Sequence, residues 1–328
     1  ASDKLNTNSY YFFLKHLVFV IIGIILILIF SSLNQKILIK LSTVLFLITF
    51  ITLILVPLIG VEIKGSKRWL DIGSLPRFQP IETLKPFFVI IISLIISLEK
   101  KKLYLKYFFS SIIIVPTTIL LLTQPDLAQT LLIISVWLAI IFVSGINLVL
   151  FFFSLITISS MTLFLIFFIP KFEYIKIRII SFLDTSSGNN YQADKASEAI
   201  SSGGFFGKGI GEGTLNSRIP EAHTDYIMSV IAEEFGVIIL ISILFFYLIF
   251  SYKVMRKINL VDSNTFKLIL VGCITLILVQ SFIHVGVNIR MLPTTGMTMP
   301  FLSYGGSSII GTSILCGIIL NLTKRKLN

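Results

Sequence analysis

Nine long apolar runs, at about 17–33, 37–60, 83–98, 103–123, 127–145, 147–169, 226–250, 265–289 and 299–322, decide what this chain can become. At a rise of about 1.5 Å per residue they suit the roughly 30 Å of hydrocarbon that an α-helix must cross. The third run is short, so its ends are expected to continue into the flanking polar segments. A closed β-barrel would need alternating segments of about ten residues, and these runs do not alternate. The expected fold class is therefore all-α, a polytopic membrane helix bundle, and residues 1–328 read as one membrane domain with a large polar loop at 171–225. Composition agrees: charged residues make up 13% of the chain and the mean hydropathy is +0.96, whereas soluble domains carry about 25% charged residues.

A net charge of +11 raises the question of nucleic acid, and the placement of the charges answers it. Thirteen of the 27 Lys and Arg fall at Lys36 and Lys40, at Lys100, Lys101, Lys102 and Lys106, at Lys253, Arg256, Lys257 and Lys267, and at Lys324, Arg325 and Lys326. These are alternate loops and the tail, which the positive-inside rule assigns to the cytoplasm. Segments 61–82, 124–126, 171–225 and 290–298 then face outward, and no nucleic-acid partner is expected. Cys273 and Cys316 both lie in apolar runs, without metal-ligand spacing or a disulfide framework, and read as small core residues. No cleavable signal peptide is visible, and the opening Ala1-Ser2 in place of Met leads to the expectation that the start is missing.

The four outward segments carry the polar chemistry. The large loop ends in Pro220-Glu221-Ala222-His223-Thr224-Asp225 before the chain turns apolar again at Tyr226, which sets a carboxylate at the membrane boundary. An ionisable residue so placed is a candidate functional group. Asp225, Ser229 and Glu233 recur at i, i+4 and i+8, which predicts one polar helical stripe pointing inward. For Glu233 and Glu234, charge pairing inside the bundle is the plainer expectation. The loop also holds a Ser186–Asn190 turn and a glycine-rich stretch, Gly203 to Gly213. The latter is no phosphate loop: Ser202 stands where Gly is needed and Gly209 where Ser or Thr is needed. Its glycines are expected to let backbone pack closely against the membrane domain.

In the first outward segment Lys64, Lys67, Arg68 and Arg77 sit on the side that the charge rule disfavours, beside Trp69; they either bind an anion or anchor the interface. Glu82 and Lys85 are i, i+3 neighbours and read as an ion pair near the surface, and Asp126 reads as an ordinary helix cap. Arg290 is expected at the outer surface, and the small residues after Pro293 point to close helix packing. His223 and Asp225, two apart, would not face each other on a helix.

In this order, Gly65 to Leu70, Gln79-Pro80 with Glu82 and Lys85, Gln124 to Leu127, Arg178 through Asp184, Ser202 to Gly204 with Gly207 to Gly209, Pro220 to Asp225 and Pro293 to Ser308 resemble the SEDS family, the shape, elongation, division and sporulation proteins. The resemblance covers essentially the whole chain. Thr294 in Pro293–Met297 is similar to the division branch, whereas the elongation branch tends to Val. Family members have ten membrane helices against nine here, and the Tyr11–Phe13 region resembles the stretch after the family's first helix, with Ala1-Ser2 as the tail of a lost one. Ala128-Gln129 and Ile81 depart from the family's usual Gly-Thr and Ser.

The resemblance implies a peptidoglycan glycosyltransferase of the cytoplasmic membrane that polymerises lipid II at the division septum, with its active site on the extracytoplasmic face. The family's essential Asp corresponds to Asp225, as base or orienter. Lys67, Arg68, Arg178 and Arg218 are candidates to hold pyrophosphate or sugar acids; Trp69, Glu82, Lys85, Asp126, Glu221 and His223 are candidates to bind substrate or line the cavity. No cofactor or metal site is evident, and a divalent cation is left open. Implied partners are lipid II, a class B penicillin-binding transpeptidase and other division proteins. The alternatives are an elongation polymerase, a precursor flippase or other transporter, and a non-enzymatic division scaffold. The lack of an obvious inverted repeat weighs against transport.

Overall fold

The computed structural model describes residues 11–63, 65–71, 73, 76–99, 102–184, 191–215 and 218–324. Ala1-Ser2, Lys64, Lys100, Lys101, the Ser186–Asn190 turn, Arg325 and Lys326 lie outside the described residues. Helices follow the apolar runs: α1 Tyr11–Ser32, α2 Gln35–Ile59, α3 Pro80–Ile96, α4 Leu103–Thr123, α5 Leu127–Val143 and α6 Leu148–Phe168. The polar loop contributes two that the apolar pattern did not announce, α7 Glu173–Leu183 and α8 Tyr191–Gly203, before α9 Ile227–Ile258, α10 Asn264–Asn288 and α11 Gly306–Thr323. A two-stranded antiparallel hairpin, β1 Val61–Ile63 and β2 Ser66–Trp69, lies between α2 and α3. Among the described residues 7 helices can cross a membrane by length and composition; α3 and α5, at 17 residues each, reach about 26 Å.

Side-chain caps start several helices where the apolar runs begin. Asn34 and Asn147 accept from the backbone N–H groups of Lys36 and Val149 at 3.0 and 2.9 Å, which satisfies donors that a first turn leaves open. The Tyr11–Phe13 region, expected as a stretch outside the membrane helices, is instead the first turn of α1. The last apolar run corrects the reading most: residues 299–305 are not helical, and α11 begins only at Gly306. Phe301 sits at φ +62 in the left-handed region, which a helix through Met299–Leu302 would forbid.

α3 is the centre of the bundle. It packs against α2, α4, α5, α10 and α11, and all its residues except Leu94 and Ile95 are buried. α6 is its opposite, with Ile166 alone buried and phenylalanines such as Phe153 and Phe168 turned outward. An apolar surface of this kind suits hydrocarbon as the solvent. α1 lies along α11 by close approach: a side chain on Gly306 would collide with Phe19, and one on Gly317 with Phe30, the small-residue packing of membrane helices.

The glycine-rich stretch repairs a break in α9. Gly236 takes φ 84, ψ 169 inside that helix, so the helical hydrogen bonds around it cannot form. The loop supplies replacements: Lys208 and Gly209 N–H donate to the carbonyls of Glu233 and Glu234 at 2.9 and 3.0 Å, and Val237 N–H donates to Gly204 at 3.0 Å. A Cβ on Gly207 would lie 2.2 Å from the Glu234 carbonyl oxygen, so backbone must meet backbone here.

Candidate active site

The hairpin is fastened by Arg68. Its Nε donates to the Gln124 carbonyl at 3.0 Å and its Nη2 to the Pro125 carbonyl, while Nη1 lies 3.7 Å from Asp126 Oδ2. Strand alternation turns Ser66 and Arg68 toward the bundle and Lys67 to the exposed side. Asp126 also caps α5 by accepting from Gln129 N–H at 3.4 Å. Burial pushes the Asp126 carboxyl above its usual value, with the Arg68 charge working against that shift.

Asp225 sits in the turn that delivers the chain to α9. Thr224 and Asp225 N–H both donate to the Glu221 carbonyl at 3.1 Å, and Glu221 itself takes φ 56. The turn is held from behind by α10 and the α10–α11 connection. Asn288 Nδ2 donates to the Asp225 carbonyl at 3.1 Å, while its Oδ1 accepts from Ser229 N–H and Oγ at 3.1 and 2.7 Å. Ser303 Oγ donates to the Thr224 carbonyl at 2.6 Å, and Tyr304 N–H to the His223 carbonyl at 2.9 Å.

The predicted polar stripe does not exist, because α9 begins at Ile227 and Asp225 precedes it. Ser229 is occupied by Asn288. Glu233, at 0% exposure, faces the glycine-rich loop, where it accepts from Leu215 N–H at 3.0 Å and pairs with Lys208 at 3.3 Å. Arg290 pairs with Asp194, tying the end of α10 to α8.

These segments enclose a polar cavity of about 360 Å³ at one end of the bundle. Arg68, Trp69, Arg178, Glu221 and Asp225 all line it. Opposite them run Thr294, Thr295 and Gly296, with Ser307 and Ser308 from the start of α11. The origin of a side chain on Gly296 would be 3.4 Å from Asp225 Oδ2 and 3.6 Å from Arg68 Nη1, so this glycine faces the carboxylate and the guanidinium together. Burial, and after it the positive charge of Arg68, lowers the pKa of Arg178, although a guanidinium stays protonated. Two cations line one wall, Arg68 balanced in part by Asp126 behind it, a setting that favours an anionic ligand.

Six candidates lie elsewhere. Lys67 and Arg218 are exposed and do not line the cavity. His223 packs its ring against Tyr304, centroids 5.6 Å apart, and leaves the lining to Tyr304. Asp126, Glu82 and Lys85 lie behind the wall. Glu82 and Lys85 pair at 2.8 Å, with Gln129 Nε2 donating to Glu82 Oε1 at 2.6 Å and Lys85 Nζ donating to Gln280 Oε1 at 3.0 Å. Gln280 Nε2 in turn donates to the Thr298 carbonyl at 2.9 Å, and Thr298 Oγ1 meets Ser308 Oγ at 2.8 Å on the wall itself. Gln79, Gln129, Gln280, Asn288, Ser303 and Tyr304, which the sequence did not single out as site candidates, are all amides or hydroxyls; three of the amides stand inside apolar runs, where a polar side chain is a signal of interhelical bonding. Among the described residues, no three His, Cys, Asp or Glu side chains come together to hold a metal ion.

The arrangement has three chemical capacities. Paired guanidiniums hold phosphate oxygens, the threonine and serine hydroxyls suit sugar hydroxyls, and a carboxylate beside them can accept a proton. A polytopic helical membrane protein with such a cavity at one end of its bundle is the class that fold and site define. The chain belongs to the FtsW/RodA/SpoVE family: the family model described as "Cell cycle protein" matches residues 1–328. It is 30% identical over 320 residues to the probable peptidoglycan glycosyltransferase FtsW of Caulobacter vibrioides, covering 97% of this chain and 81% of that one. With its counterpart in Coxiella burnetii it shares 33% identity over 335 residues, 98% and 88% of the two chains. Its fold is similar to a chain of a solved peptidoglycan synthase complex that coordinates polymerization and crosslinking (TM-score 0.79, 24% identity, 96% of this chain and 90% of that one). It is also similar to the rod shape determining protein RodA of Thermus thermophilus (TM-score 0.69, 23% identity, 97% and 88%).

Proposed function

We propose that this chain is a peptidoglycan glycosyltransferase that polymerises lipid II in the cavity at Asp225, on the outward face of the cytoplasmic membrane during septal wall synthesis. The observation that carries the reading is the shared cavity: Asp225 faces a space walled by Arg68 and Arg178, at the end of the bundle where the polar loop meets the membrane helices. The acceptor sugar hydroxyl forms a bond to the anomeric carbon of the donor, its proton passing to Asp225. The bond from that carbon to the pyrophosphate oxygen breaks, and undecaprenyl pyrophosphate leaves with the electron pair. Arg68 and Arg178 steady the departing charge. Glu221, held by the Thr224 hydroxyl at 3.1 Å, and Trp69 shape the sugar's seat.

A transport reading has less support. Beyond the Glu82–Lys85 pair, α3 continues through Phe87, Phe88, Val89, Ile90, Ile91 and Ile92, all buried, so α3 offers no polar side chain between Lys85 and Ser93. A class B penicillin-binding transpeptidase is the proposed partner, in keeping with the crosslinking complex that the fold resembles.

The test is lipid II polymerisation in liposomes with the transpeptidase partner present but inactivated. The parent protein is expected to yield glycan strands and the Asp225→Asn variant none, at equal folded protein and partner binding. Equal glycan from both would remove Asp225 from the reaction, and lipid translocation without glycan from the parent would replace the enzyme with a transporter.

A further inference from the structure

At the far end of the same two helices lies a second cavity that the reaction does not use. α9 starts beside Asp225 and ends at Ile258; α11 starts at the wall serines and ends at Thr323. At about 1.5 Å per residue their far ends stand roughly 25–45 Å from the first cavity. Between them is a groove of about 530 Å³, within the range of about 300–1,000 Å³ usual for ligand sites. Phe250, Val254, Ile319 and Leu320 give it apolar walls, and Lys253, Arg256 and Lys257 also line it. Val254 and Ile319 are buried at its floor, while Leu320 is exposed.

Among the described residues no Asp or Glu lines the groove, and none of the three cations is within ion-pairing distance of a carboxylate. Arg256 is placed by the Tyr252 ring, 6.0 Å from its centroid. Retention of a helix end in the cytoplasm accounts for cations there; it does not account for an apolar groove between them. Free phosphate would satisfy the cations and leave the walls bare, whereas a lipid with an anionic headgroup satisfies both.

We infer that this groove binds an anionic phospholipid of the surrounding bilayer, its phosphate against Lys253, Arg256 and Lys257 and an acyl chain along Val254, Ile319 and Leu320. The site is independent of the chemistry at Asp225 and stands whether or not that chemistry is as proposed.

Native mass spectrometry of the full chain, released from nanodiscs of equal phosphatidylglycerol and phosphatidylcholine, tests the site. The parent is expected to retain phosphatidylglycerol in preference. Each of Lys253→Gln, Arg256→Gln and Lys257→Gln is expected to weaken that retention by about fivefold, and the triple variant to abolish the preference. Leu320→Trp, which fills the groove and keeps every charge, is expected to lose the lipid as well. Lys36→Gln with Lys40→Gln, another basic cluster, is expected to retain it. Unchanged retention in the triple or the Leu320 variant, equal loss in the Lys36 and Lys40 variant, or preference for undecaprenyl phosphate over phosphatidylglycerol in a competition arm would each overturn the assignment. Thermal melting of every variant separates loss of lipid from loss of fold.

Discussion

The charged groups at one end of this bundle fall into two regions a few side chains apart, and they are built differently. Arg68, Arg178 and Asp225 reach an open cavity from a hairpin, a loop helix and a turn. Glu82 and Lys85 sit on the most enclosed helix, paired to each other and to Gln129 and Gln280. A charge facing water and ligand can act on a substrate. One sealed among helices must have its bonding completed by protein, because an unpaired charge there is costly. In the function proposed above the wall carries the chemistry and the network behind it the cohesion, with Thr298 and Ser308 as the point of contact.

The assignment can be broken at several places. Lys85→Met leaves the Glu82 carboxylate buried without its cation, and it is expected to cost about 3–5 kcal/mol of stability, read as a lowered melting temperature that Glu82→Gln partly restores. Asn288→Ala lies on the border: it takes the acceptor from the buried Ser229 hydroxyl and one donor from the Asp225 carbonyl, at about 1–3 kcal/mol for a buried group left unpaired. Its effect is expected to divide between lowered melting and slower glycan synthesis per folded molecule. Gly296→Ala places a methyl group between Asp225 and Arg68 without entering the core; melting is expected to hold while polymerisation falls about tenfold, a smaller loss than gross misplacement of a reacting group brings. The smallest effects are expected at Lys67→Gln and Arg218→Gln. Both are exposed and off the wall, and surface changes of this kind stay within about 0.5 kcal/mol; a tenfold loss of polymerisation from either would show that the cavity extends beyond its present lining.

Much of the architecture was legible because hydrocarbon imposes one rule, long apolar helices, and the sequence states it openly. It misled where apolar residues serve a turn: Met299, Phe301 and Leu302 look like helix, but Phe301 is left-handed and Gly305-Gly306 delay α11. α8 was hidden for a different reason. Its buried face is made of Ala193, Ala196, Ala199 and Gly203, a helical spacing carried by residues too small to register as apolar. Of the residues that line the cavity, Asp225 stood out by its charge at the membrane boundary and Arg68 by its positive charge on the disfavoured side, whereas Arg178 and Glu221 came forward only through the family resemblance. The supports were not legible, because Asn288 and Gln280 are single amides inside apolar runs whose partners, the Asp225 and Thr298 carbonyls, are backbone atoms. His223, a candidate through the family resemblance alone, lies in a turn rather than a helix, and its ring packs against Tyr304.

The most direct test measures folded fraction and glycan made per folded molecule for Asp225→Asn and Lys85→Met side by side, with the partner transpeptidase inactivated. Asp225→Asn is expected to fold like the parent yet lose at least about 100-fold in glycan per folded molecule, the scale of a lost proton-transfer group. Lys85→Met is predicted to lose folded protein while its surviving molecules polymerise within a few-fold of the parent. Unfolding of Asp225→Asn, or a well-folded Lys85→Met that makes no glycan, would contradict the division between a working wall and a supporting network.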